Sequence, residues 1–481
     1  MMLGLEDTAN KLFIGGEWRK AGDGEIGERV NPANDQRLAS IPRASSQDLD
    51  DALSSSADAF RVWGRKPAVQ RVEVLRRAAE LLRQRADDIA TIITLEQGKT
   101  LTEASLEVAL AAETFEWFAG ESLRAGGQVL PARIAHSRQM VITQPVGPVL
   151  AIAPWNFPLL LPTRKVAAAL AAGCTVIVKP AGETPGAVQA LAHVLSDAGL
   201  EAGAFNVVLG ASSEISEKLI GSPVIRKISF TGSTEVGRRL SQLAADYAKP
   251  STMELGGHAP VVVFDDVDLE KAVATCLAGK TRNAGQVCTS PTRFIVHDRI
   301  FDAFVADFGR ALEAVSVGDG SHEGTQMGPL VNHRRVQAME QMVDDAVGRG
   351  AKLVTGGNRI GEAGSFFQPT LLADVPVEAE SMQSEPFGPL AIVNRFETID
   401  EALEESHRLD VGLAAYVFTA SANTALTMSD ALQAGGIGIN SFSVSSIEAP
   451  FGGMKDSGHG YEGGTEGLHG YLHHKYINHV V

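Results

Sequence analysis

The chain has 481 residues, of which 44% are hydrophobic and 21% are charged, with 49 glycines. This length is too great for one hydrophobic core and predicts two or three domains, and the composition is typical of a soluble α/β protein. The net charge of −16 is spread along the chain without a basic stripe. That distribution argues against nucleic acid and anionic membranes as partners.

Three cysteines, Cys174, Cys276 and Cys288, are too few for a disulfide framework and fit a reducing compartment. The first residues lack the basic and apolar regions of a secretory signal. The uncharged stretch 146–163 contains four prolines, which a membrane-spanning helix would not carry. We therefore expect a cytoplasmic protein without a membrane segment.

The first predicted elements are short strands around residues 11–14 and at Trp18, followed by helices. A capping box at residues 45–48 predicts the start of one helix. Apolar residues at helical spacing predict a second helix from about residue 68 to residue 95, with Gly98 as its stop.

Residues 149–255 repeat a strand, a turn and a helix four times. The predicted strands are 149–153, 175–178, 205–208 and 227–230, and the predicted helices include 166–172, 186–198 and 235–248. This alternation predicts a parallel sheet with right-handed crossovers. Ligands then bind at the carboxyl ends of the strands, where residues 154–156, Lys179 and residues 231–233 fall.

A second α/β block begins with a predicted strand at residues 260–264. Further strands of this block are predicted at 292–296, 388–394 and 414–419. Residues 126–144 are predicted to form an extended hairpin arm, and residues 470–481 a further strand. Because neither has an obvious partner in its own domain, we expect these strands to pair across a subunit boundary.

Cys288 is the strongest candidate for chemistry. It ends the run Arg282-Asn-Ala-Gly-Gln-Val-Cys288, and Glu254-Leu-Gly-Gly precedes it by 34 residues. A lone cysteine is ordinarily a small buried hydrophobe. Here Asn283, Gln286 and a glycine share its segment, which favours a shaped loop in which backbone N–H groups approach a reacting carbonyl. Cys288 and Glu254 are therefore a candidate nucleophile and a candidate base.

A candidate nucleotide site lies at the fourth strand–helix junction. No G-x-G-x-x-G motif follows the first parallel strand, so the common dinucleotide fingerprint is missing. Instead, Phe230-Thr-Gly-Ser-Thr-Glu-Val-Gly237 places Gly232 and Ser233 at the start of a helix, whose free N–H groups can bind a pyrophosphate. Lys179 offers a cation to a ribose or a phosphate.

These motifs together resemble those of the aldehyde dehydrogenase superfamily. The matching stretches, in family order, are 154–158, Lys179-Pro180, 230–237, 254–257, 283–288, 385–389 and 450–453. The resemblance implies an aldehyde dehydrogenase-like α/β fold with two parallel-sheet domains. It implies a Rossmann-like NAD(P)-binding domain (1–125 and 145–255), a catalytic domain (256–445) and oligomerisation or bridging elements (126–144 and 446–481). Such chains assemble as homodimers or homotetramers.

The resemblance also implies roles for individual residues. Cys288 would attack the aldehyde as a thiolate, and the Asn156 side chain with the N–H of Cys288 would hold the oxyanion. Glu254 would activate the water that hydrolyses the thioester, and Lys165 would help to relay the proton. The cofactor, NAD or NADP, would contact Trp155, Lys179, Gly182, Phe230, Gly232, Ser233, Glu385 and Phe387. Among these, Glu385 would bind the nicotinamide ribose and Lys179 the adenosine ribose.

Within the superfamily the chain most resembles the dehydrogenases of succinate semialdehyde and 2-oxoglutarate semialdehyde. Arg164, Arg282 and the pair Ser445-Ser446 match the residues that hold the distal carboxylate in those enzymes. Two guanidinium groups in one pocket favour an anionic tail. The alternative is that the arginines bind their own backbone or neighbouring acids. The two diacids are not separated by these residues, and a sulfonate-bearing aldehyde fits the same arginines.

Two positions depart from the family pattern. NAD-preferring members place a glutamate three residues after the lysine, where this chain has Gly182, followed by Glu183. Without that carboxylate we expect NADP to be used at least comparably with NAD. Some succinate semialdehyde enzymes carry a second cysteine two residues after the nucleophile, where this chain has Ser290. We therefore expect no intramolecular disulfide switch.

Three other functions stay open at this point. One is a broad-specificity aldehyde dehydrogenase for neutral or aromatic aldehydes. A second is acyl transfer to coenzyme A, against which Glu254 argues because it supplies a hydrolytic base. The third is a silent structural homologue, which the intact Cys288, Glu254 and Asn156 disfavour. No metal-ligand cluster stands out in the sequence, and His258, where lysine is common, has no evident role.

Overall fold

The computed structural model describes residues 8–480. The first seven residues, on which the predicted absence of a signal peptide rests, lie outside the described residues, as does Val481 at the end of the predicted C-terminal strand.

The N-terminal part of the described residues begins with short strands, which helices follow. They are β1 (Leu12–Ile14), β2 (Glu17–Arg19), β3 (Glu25–Val30), β4 (Arg37–Pro42), α1 (Ser46–Trp63), α2 (Ala68–Gln84), α3 (Ala86–Gln97) and α4 (Leu101–Arg124). The capping box is confirmed, since the Ser45 hydroxyl accepts from the N–H of Asp48 while the Asp48 carboxylate accepts from the N–H of Ser45. The prediction of one helix over 68–95 is wrong. Arg85 leaves helical geometry (φ −111°, ψ 15°) and separates α2 from α3.

The hairpin arm and the first α/β unit follow. Their elements are β5 (Gln128–Leu130), β6 (Ser137–Pro145), β7 (Val149–Ile152), α5 (Leu160–Ala172), β8 (Val176–Lys179), α6 (Gly186–Asp197), β9 (Phe205–Val207), α7 (Ser212–Gly221), β10 (Lys227–Thr231), α8 (Thr234–Asp246) and β11 (Ser251–Glu254). Helix α5 begins six residues before the predicted start at Val166, because Pro162 lies in its first turn, where no intrahelical N–H bond is needed.

The second α/β unit and the C-terminal segment complete the chain. Their elements are β12 (Ala259–Val263), α9 (Leu269–Thr281), a 3₁₀ turn (Arg282–Gly285), β13 (Pro291–His297), α10 (Asp298–Glu313), α11 (His333–Gly348), β14 (Lys352–Thr355), β15 (Thr370–Ala373), α12 (Glu380–Gln383), β16 (Leu390–Phe396), α13 (Ile399–His407), β17 (Val411–Gly412), β18 (Ala414–Phe418), α14 (Ala422–Ala431), β19 (Gly436–Ile439), β20 (Met454–Lys455), β21 (Gly458–His459), α15 (Gly464–His469) and β22 (Leu472–Val480).

Two large sheets form the framework. The first has the order β2-β1-β9-β8-β7-β10-β11-β21, with parallel pairing from β9 to β11. The second has the order β14-β15-β16-β13-β12-β18-β19 and is parallel except for β14. Strands β7, β8, β12 and β18 are buried along their whole length, as expected for sheets covered by helices on both faces. The predicted parallel sheets are confirmed.

A separate antiparallel sheet has the order β22-β6-β5. Strands β6 and β22 pair along their whole length, from Pro145 opposite Leu472 to Ser137 opposite Val480. The premise that neither the arm nor the C-terminal strand has a partner in its own domain is therefore wrong, because the two pair with each other. Pairing across a subunit boundary stays a prediction. The C-terminal segment crosses the molecule, adds β21 to the first sheet, and returns to the arm as β22.

The loops that carry the predicted site residues lie at opposite strand ends in the two sheets. Loops that follow β7, β8, β10 and β11 leave the carboxyl ends of the first sheet, whereas the loops before β13 and β16 enter the amino ends of the second. The residues singled out in the sequence lie in these loops. Within residues 8–480, no helix combines the length and the apolar character needed to cross a bilayer.

Candidate active site

The carboxyl ends of three neighbouring strands bring the first group of predicted residues together. Asn156 follows β7, Ser233 follows β10, and Glu254 is the last residue of β11. Strand β10 lies between the other two, and Thr231 is the register partner of Glu254. The sheet thus places an amide, a helix N-terminus and a carboxyl group along one edge.

The loop that carries Cys288 has an unusual backbone. Asn283 (φ 49°), Ala284 (φ 53°) and Gly285 (φ 70°) are three consecutive residues in the left-handed region. A side chain at Gly285 would place its Cβ 2.1 Å from the carbonyl oxygen of Gly388, so only glycine fits there. This turn presents Cys288, which is partly exposed, to the edge of the first sheet.

The amide of Asn156 is tied to the nucleophile loop. Its Nδ2 donates to the carbonyl of Gln286 at 3.1 Å, and the Asn283 Nδ2 donates to the carbonyl of Asn156 at 2.9 Å. Asn156, Glu254 and Cys288 line one cavity of about 340 Å³. The structure therefore brings the predicted nucleophile, base and oxyanion donor to the same space.

Electrostatics in this cavity favour protonated groups. Burial raises the pKa of the Glu254 carboxyl to about 7, and the charge of Glu462 adds to the rise. Burial, followed by the charges of Glu254 and Glu385, raises the pKa of the Cys288 thiol well above its ordinary range. Neither carboxyl oxygen of Glu254 has a hydrogen-bond partner among the described residues. Glu254 is thus a buried acid that titrates near neutral pH and is free to accept a proton.

Lys165 lies behind this pair and is fully buried. Its ammonium donates to the Thr231 hydroxyl at 2.7 Å and forms an ion pair with Glu462. The charge of Lys165 lowers the pKa of Glu254 and so opposes the effect of burial. Sequence reasoning missed Glu462, because its partner Lys165 lies 297 residues earlier and no local pattern marks the pair.

The opposite wall of the cavity comes from the loop before β16. The Phe387 ring packs edge-on against the Trp155 ring with centroids 5.4 Å apart. Burial, and then the charge of Glu254, raises the pKa of Glu385 to about 8, while Arg335 opposes this rise. Arg335, which sequence reasoning also missed, lines the same cavity and donates to the carbonyl oxygens of Pro386 and Phe387.

A longer cleft of about 910 Å³ continues from Trp155 over the first sheet and is lined by Lys179, Gly182 and Phe230. The Lys179 ammonium donates to the Ser212 hydroxyl at 2.7 Å. An added Cβ at Gly182 would make only ordinary van der Waals contact, 3.4 Å from the Ile41 side chain.

The entrance and floor of this cleft come from other residues. Glu183 does not bond Lys179 but accepts from Arg334 at 3.3 Å, an exposed contact at the cleft mouth. The Ser233 hydroxyl caps α8, and a side chain at Gly232 would clash with the Phe230 ring at 2.5 Å. The cleft therefore offers free helix N–H groups and one buried cation, which suit a dinucleotide.

The two predicted substrate arginines come from helix α5, which carries Arg164, and from the start of the nucleophile loop, which begins at Arg282. Buried Arg164 donates to the main-chain oxygen of Ser445 at 3.1 Å and stacks over the Phe451 ring. Exposed Arg282 lies over the Phe157 ring, 5.3 Å from its centroid. Burial lowers the pKa of Arg164, and the charges of Cys288 and Glu254 oppose this while that of Arg282 adds to it. The arginines are thus close enough to influence each other and the reacting groups.

Neither Ser445 nor Ser446 contributes a hydroxyl to the contacts of Arg164. Ser445 offers its carbonyl oxygen rather than its hydroxyl to Arg164, and Ser446 is exposed. His258, left unexplained by the sequence, is buried between the Thr292 hydroxyl and the Ser381 carbonyl. Burial lowers its pKa well below the usual range, so the imidazole is neutral and structural. The described residues contain no cluster of side chains suited to a metal ion.

Comparisons with known proteins agree with this geometry. The sequence model described as "Aldehyde dehydrogenase family" matches residues 18–477. The chain is 45% identical to a 4-(hydroxymethyl)benzenesulfonate dehydrogenase of Comamonas testosteroni, over 98% of both chains. It is 42% identical to the NADP-dependent succinate-semialdehyde dehydrogenase of Escherichia coli K12, over 97% of both chains. The crystal structure of a succinate-semialdehyde dehydrogenase from Burkholderia pseudomallei superposes with a TM-score of 0.96, at 40% identity and 98% coverage of both chains. The predicted fold and resemblance are confirmed, and the chain belongs to the aldehyde dehydrogenase family, whose members oxidise aldehydes with NAD or NADP.

Proposed function

We propose that this protein oxidises a short aldehyde with an anionic tail to the corresponding acid, and that it uses NADP at least as well as NAD. The observation that carries the proposal is the buried guanidinium of Arg164, on which the charges of Cys288 and Arg282 both act. Arg164 has only a main-chain carbonyl and an aromatic ring as its described partners, so it retains donors for an anion. A carboxylate or a sulfonate of the substrate would complete this site.

The nucleophile in this mechanism is Cys288. Glu254 accepts the thiol proton, which its pKa of about 7 permits near neutral pH, and the thiolate attacks the aldehyde carbon. A C–S bond forms, the C=O π bond breaks, and the oxyanion of the thiohemiacetal is held by Asn156 Nδ2 and the N–H of Cys288. Each such donor is worth about 3 kcal/mol of transition-state stabilisation.

Glu254 acts again when the thioester is hydrolysed. When bound, NAD(P) supplies a two-electron acceptor for the hydride that leaves the thiohemiacetal carbon. Glu254 first passes on the proton that it took from the thiol and becomes a carboxylate again. It then deprotonates a water molecule that attacks the thioester, the C–S bond breaks, and Cys288 leaves as the thiolate while the acid is released. Lys165 and Glu462 provide buried groups next to Glu254 through which the proton can be passed on.

The cleft supports cofactor binding by this chain's own residues. Gly232 and the N-terminus of α8 would face the pyrophosphate, and Glu385 the nicotinamide ribose. The pairing of Lys179 with Ser212, together with the side-chain-free Gly182, supports a place for a 2′-phosphate. The 2′-phosphate would meet a cation and a hydroxyl there, without a carboxylate at position 182.

The relatives support an anionic substrate. One acts, by its name, on a benzenesulfonate and another on succinate semialdehyde, so both names describe an anion at one end of the molecule. We propose the succinate-semialdehyde or 2-oxoglutarate-semialdehyde type for this chain. An aromatic sulfonate is the alternative that the Comamonas relative favours.

We also propose that the chain forms a homodimer or homotetramer in the cytoplasm. The arm exposes apolar side chains, with Val129 85% and Val480 59% exposed. The cofactor cleft lies on the first sheet and the nucleophile before the second, which supports the division at residue 255 into a cofactor domain and a catalytic domain. The arm, residues 126–144, with 446–481 would bridge subunits. Light scattering on the purified protein tests the assembly.

The test of function is a matrix of initial rates. Succinate semialdehyde, 2-oxoglutarate semialdehyde, 4-formylbenzenesulfonate and an uncharged aldehyde of similar length are each assayed with NAD and with NADP, without coenzyme A. We expect the acids to exceed the neutral aldehyde in kcat/KM by at least tenfold, roughly the value of one charged hydrogen bond. Equal rates with the neutral aldehyde would contradict the proposal, and a requirement for coenzyme A would identify acyl transfer instead.

A further inference from the structure

A buried ion pair outside the proposed chemistry lies behind the oxyanion donor. The Nζ of Lys99 lies 2.6 Å from Glu107 Oε2, and the two side chains are 0% and 1% exposed. Removing two charges from water is costly, and such a pair is stable only when neighbouring groups satisfy its remaining hydrogen bonds. The neighbours that do so here belong to the active site.

Lys99 contacts the backbone that carries the oxyanion donor. Its ammonium donates to the carbonyl oxygen of Asn156 at 2.8 Å and lies 3.9 Å from the centroid of the Phe157 ring. The lysine therefore holds both the peptide unit from which the Asn156 amide projects and the aromatic ring beneath Arg282.

Glu107 contacts the next part of the same loop. Its Oε1 accepts from the N–H groups of Leu159, at 2.8 Å, and Leu160, at 3.0 Å. These groups open α5, which has no N-cap side chain of its own. A carboxylate at this position satisfies free N–H groups and interacts favourably with the helix dipole. Helix α5 in turn carries Arg164 and Lys165.

The nucleophile loop meets the same contacts. The Asn283 Nδ2 donates to the carbonyl of Asn156 at 2.9 Å, and the N–H of Asn283 donates to Glu103 Oε1 at 2.6 Å. The Asn156 carbonyl thus receives one donor from Lys99 and one from the nucleophile loop. Residues 97–107 connect the two loops between which the aldehyde oxygen must lie.

We propose that Lys99 and Glu107 are positioning residues for the oxidation: they fix the loop 156–160 so that the Asn156 amide faces the aldehyde oxygen. The inference rests on the oxyanion role proposed for Asn156. Displacement of such a donor by about 1 Å can lower the rate ~100-fold while leaving the fold intact.

A double-mutant cycle tests this assignment. Glu107→Gln should lower kcat by ~10-fold to ~100-fold with little change in the KM for the aldehyde. In an Asn156→Ala background, where there is no donor to position, Glu107→Gln should have almost no further effect on kcat. Alkylation of Cys288 by iodoacetamide forms no oxyanion, so its rate should not change.

Two further variants separate positioning from folding. The double variant Lys99→Met/Glu107→Leu replaces the ions by apolar groups, a change that buried pairs often tolerate, and it should fold yet keep the reduced kcat. Glu405→Gln breaks a partly buried pair with Arg293 elsewhere and should keep the wild-type kcat. A wild-type kcat in the folded apolar variant, or additive losses from Glu107→Gln and Asn156→Ala, would overturn the inference alone. A wild-type protein that oxidises no aldehyde would overturn the proposed function together with it.

Discussion

Arg164 and Lys165 are consecutive residues of α5, and their side chains reach two different parts of the site. Arg164 donates to the Ser445 carbonyl at 3.1 Å, and Lys165 donates to the Thr231 hydroxyl at 2.7 Å. Neighbouring helical residues point about 100° apart, so a single residue step along the helix separates the proposed substrate anchor from the proposed proton path. A change in substrate preference can therefore be made at position 164 without touching Lys165.

Arg282→Gln and Arg164→Gln should each reduce kcat/KM for succinate semialdehyde by ~10-fold to ~100-fold, as expected for loss of a charge-assisted hydrogen bond. For an uncharged aldehyde of the same length the change should be small, because that substrate has no anion to lose. Arg299→Gln, at an exposed surface ion pair, is the matched control. Equal losses for both aldehydes would show that the arginines are structural.

Glu254→Gln should stall the second half of the reaction, and it should still allow the first half at a pH high enough to ionise the thiol without this base. A rapid-mixing experiment at alkaline pH, where the thiol is more easily ionised, should show a burst of reduced cofactor approaching one equivalent per active site. Steady turnover should then be slower than wild type by ~100-fold or more, the usual contribution of a general base. A wild-type steady rate would contradict the role of Glu254.

The same substitution should stabilise the protein in a pH-dependent way. The pKa of Glu254 is about 7 in the folded chain against an ordinary value of 4.5. Below pH 4.5 both states are protonated, and between pH 4.5 and 7 the unfolded chain loses its proton first, so wild-type stability falls as the pH rises. Glu254→Gln avoids this loss, worth roughly 3 kcal/mol above pH 7. Thermal unfolding at pH 5 and pH 8 should show a larger advantage of the variant at pH 8, and a constant difference would refute the assignment.

Gly182→Glu should convert the cofactor preference toward NAD. The backbone accepts a side chain there, and a carboxylate beside Lys179 would repel a 2′-phosphate. We expect kcat/KM with NADP to fall ~10-fold or more, because one charged hydrogen bond to the phosphate is weakened. The kcat/KM with NAD should be unchanged or improved. Gly182→Gln adds nearly the same volume without charge and should have a smaller effect. A wild-type ratio of NAD to NADP efficiency above about 100, close to 3 kcal/mol, would contradict the proposed NADP use.

Native protein should present one reactive thiol. Cys174 and Cys276 are fully buried, and burial raises the pKa of the Cys174 thiol to about 11 and that of Cys276 further in the same direction. Mass spectrometry after limited iodoacetamide treatment should find the label on Cys288. Mild peroxide should oxidise Cys288 without an intramolecular disulfide, because Ser290 stands where a resolving cysteine would be. A disulfide to Cys288 within the chain would overturn this prediction.

The sequence was sufficient to predict the residues that lie in short motifs. Glycine-bearing turns and alternating strands are local patterns, so the loops that carry Asn156, Ser233 and Cys288 were predictable. The rule that ligands bind at carboxyl ends of parallel strands describes the first sheet, but the second sheet contributes Cys288 and Glu385 from loops at amino ends. Cys288 was a candidate from its own segment, whereas Glu385 followed from family resemblance alone.

Residues whose role depends on a distant partner were not predictable. Glu462 pairs with Lys165 across 297 positions, and Ser212 meets Lys179 across 33. Lys99 had no local feature to separate it from the many lysines that lie on a solvated surface. The β22–β6 pairing was missed for the same reason, since its register exists only after the C-terminal segment has crossed the first sheet.

At the left-handed turn before Cys288, selection for thermal stability and selection for turnover favour different features. L-residues in this conformation cost roughly 1–2 kcal/mol each, and Asn283 and Ala284 both adopt it. Directed evolution for heat resistance alone would therefore favour Ala284→Gly, which relieves part of that strain. Evolution for turnover would instead retain the contacts that hold the turn, such as the bond from Asn283 to Glu103. In this loop, the variant that survives heating best need not be the one that reacts fastest.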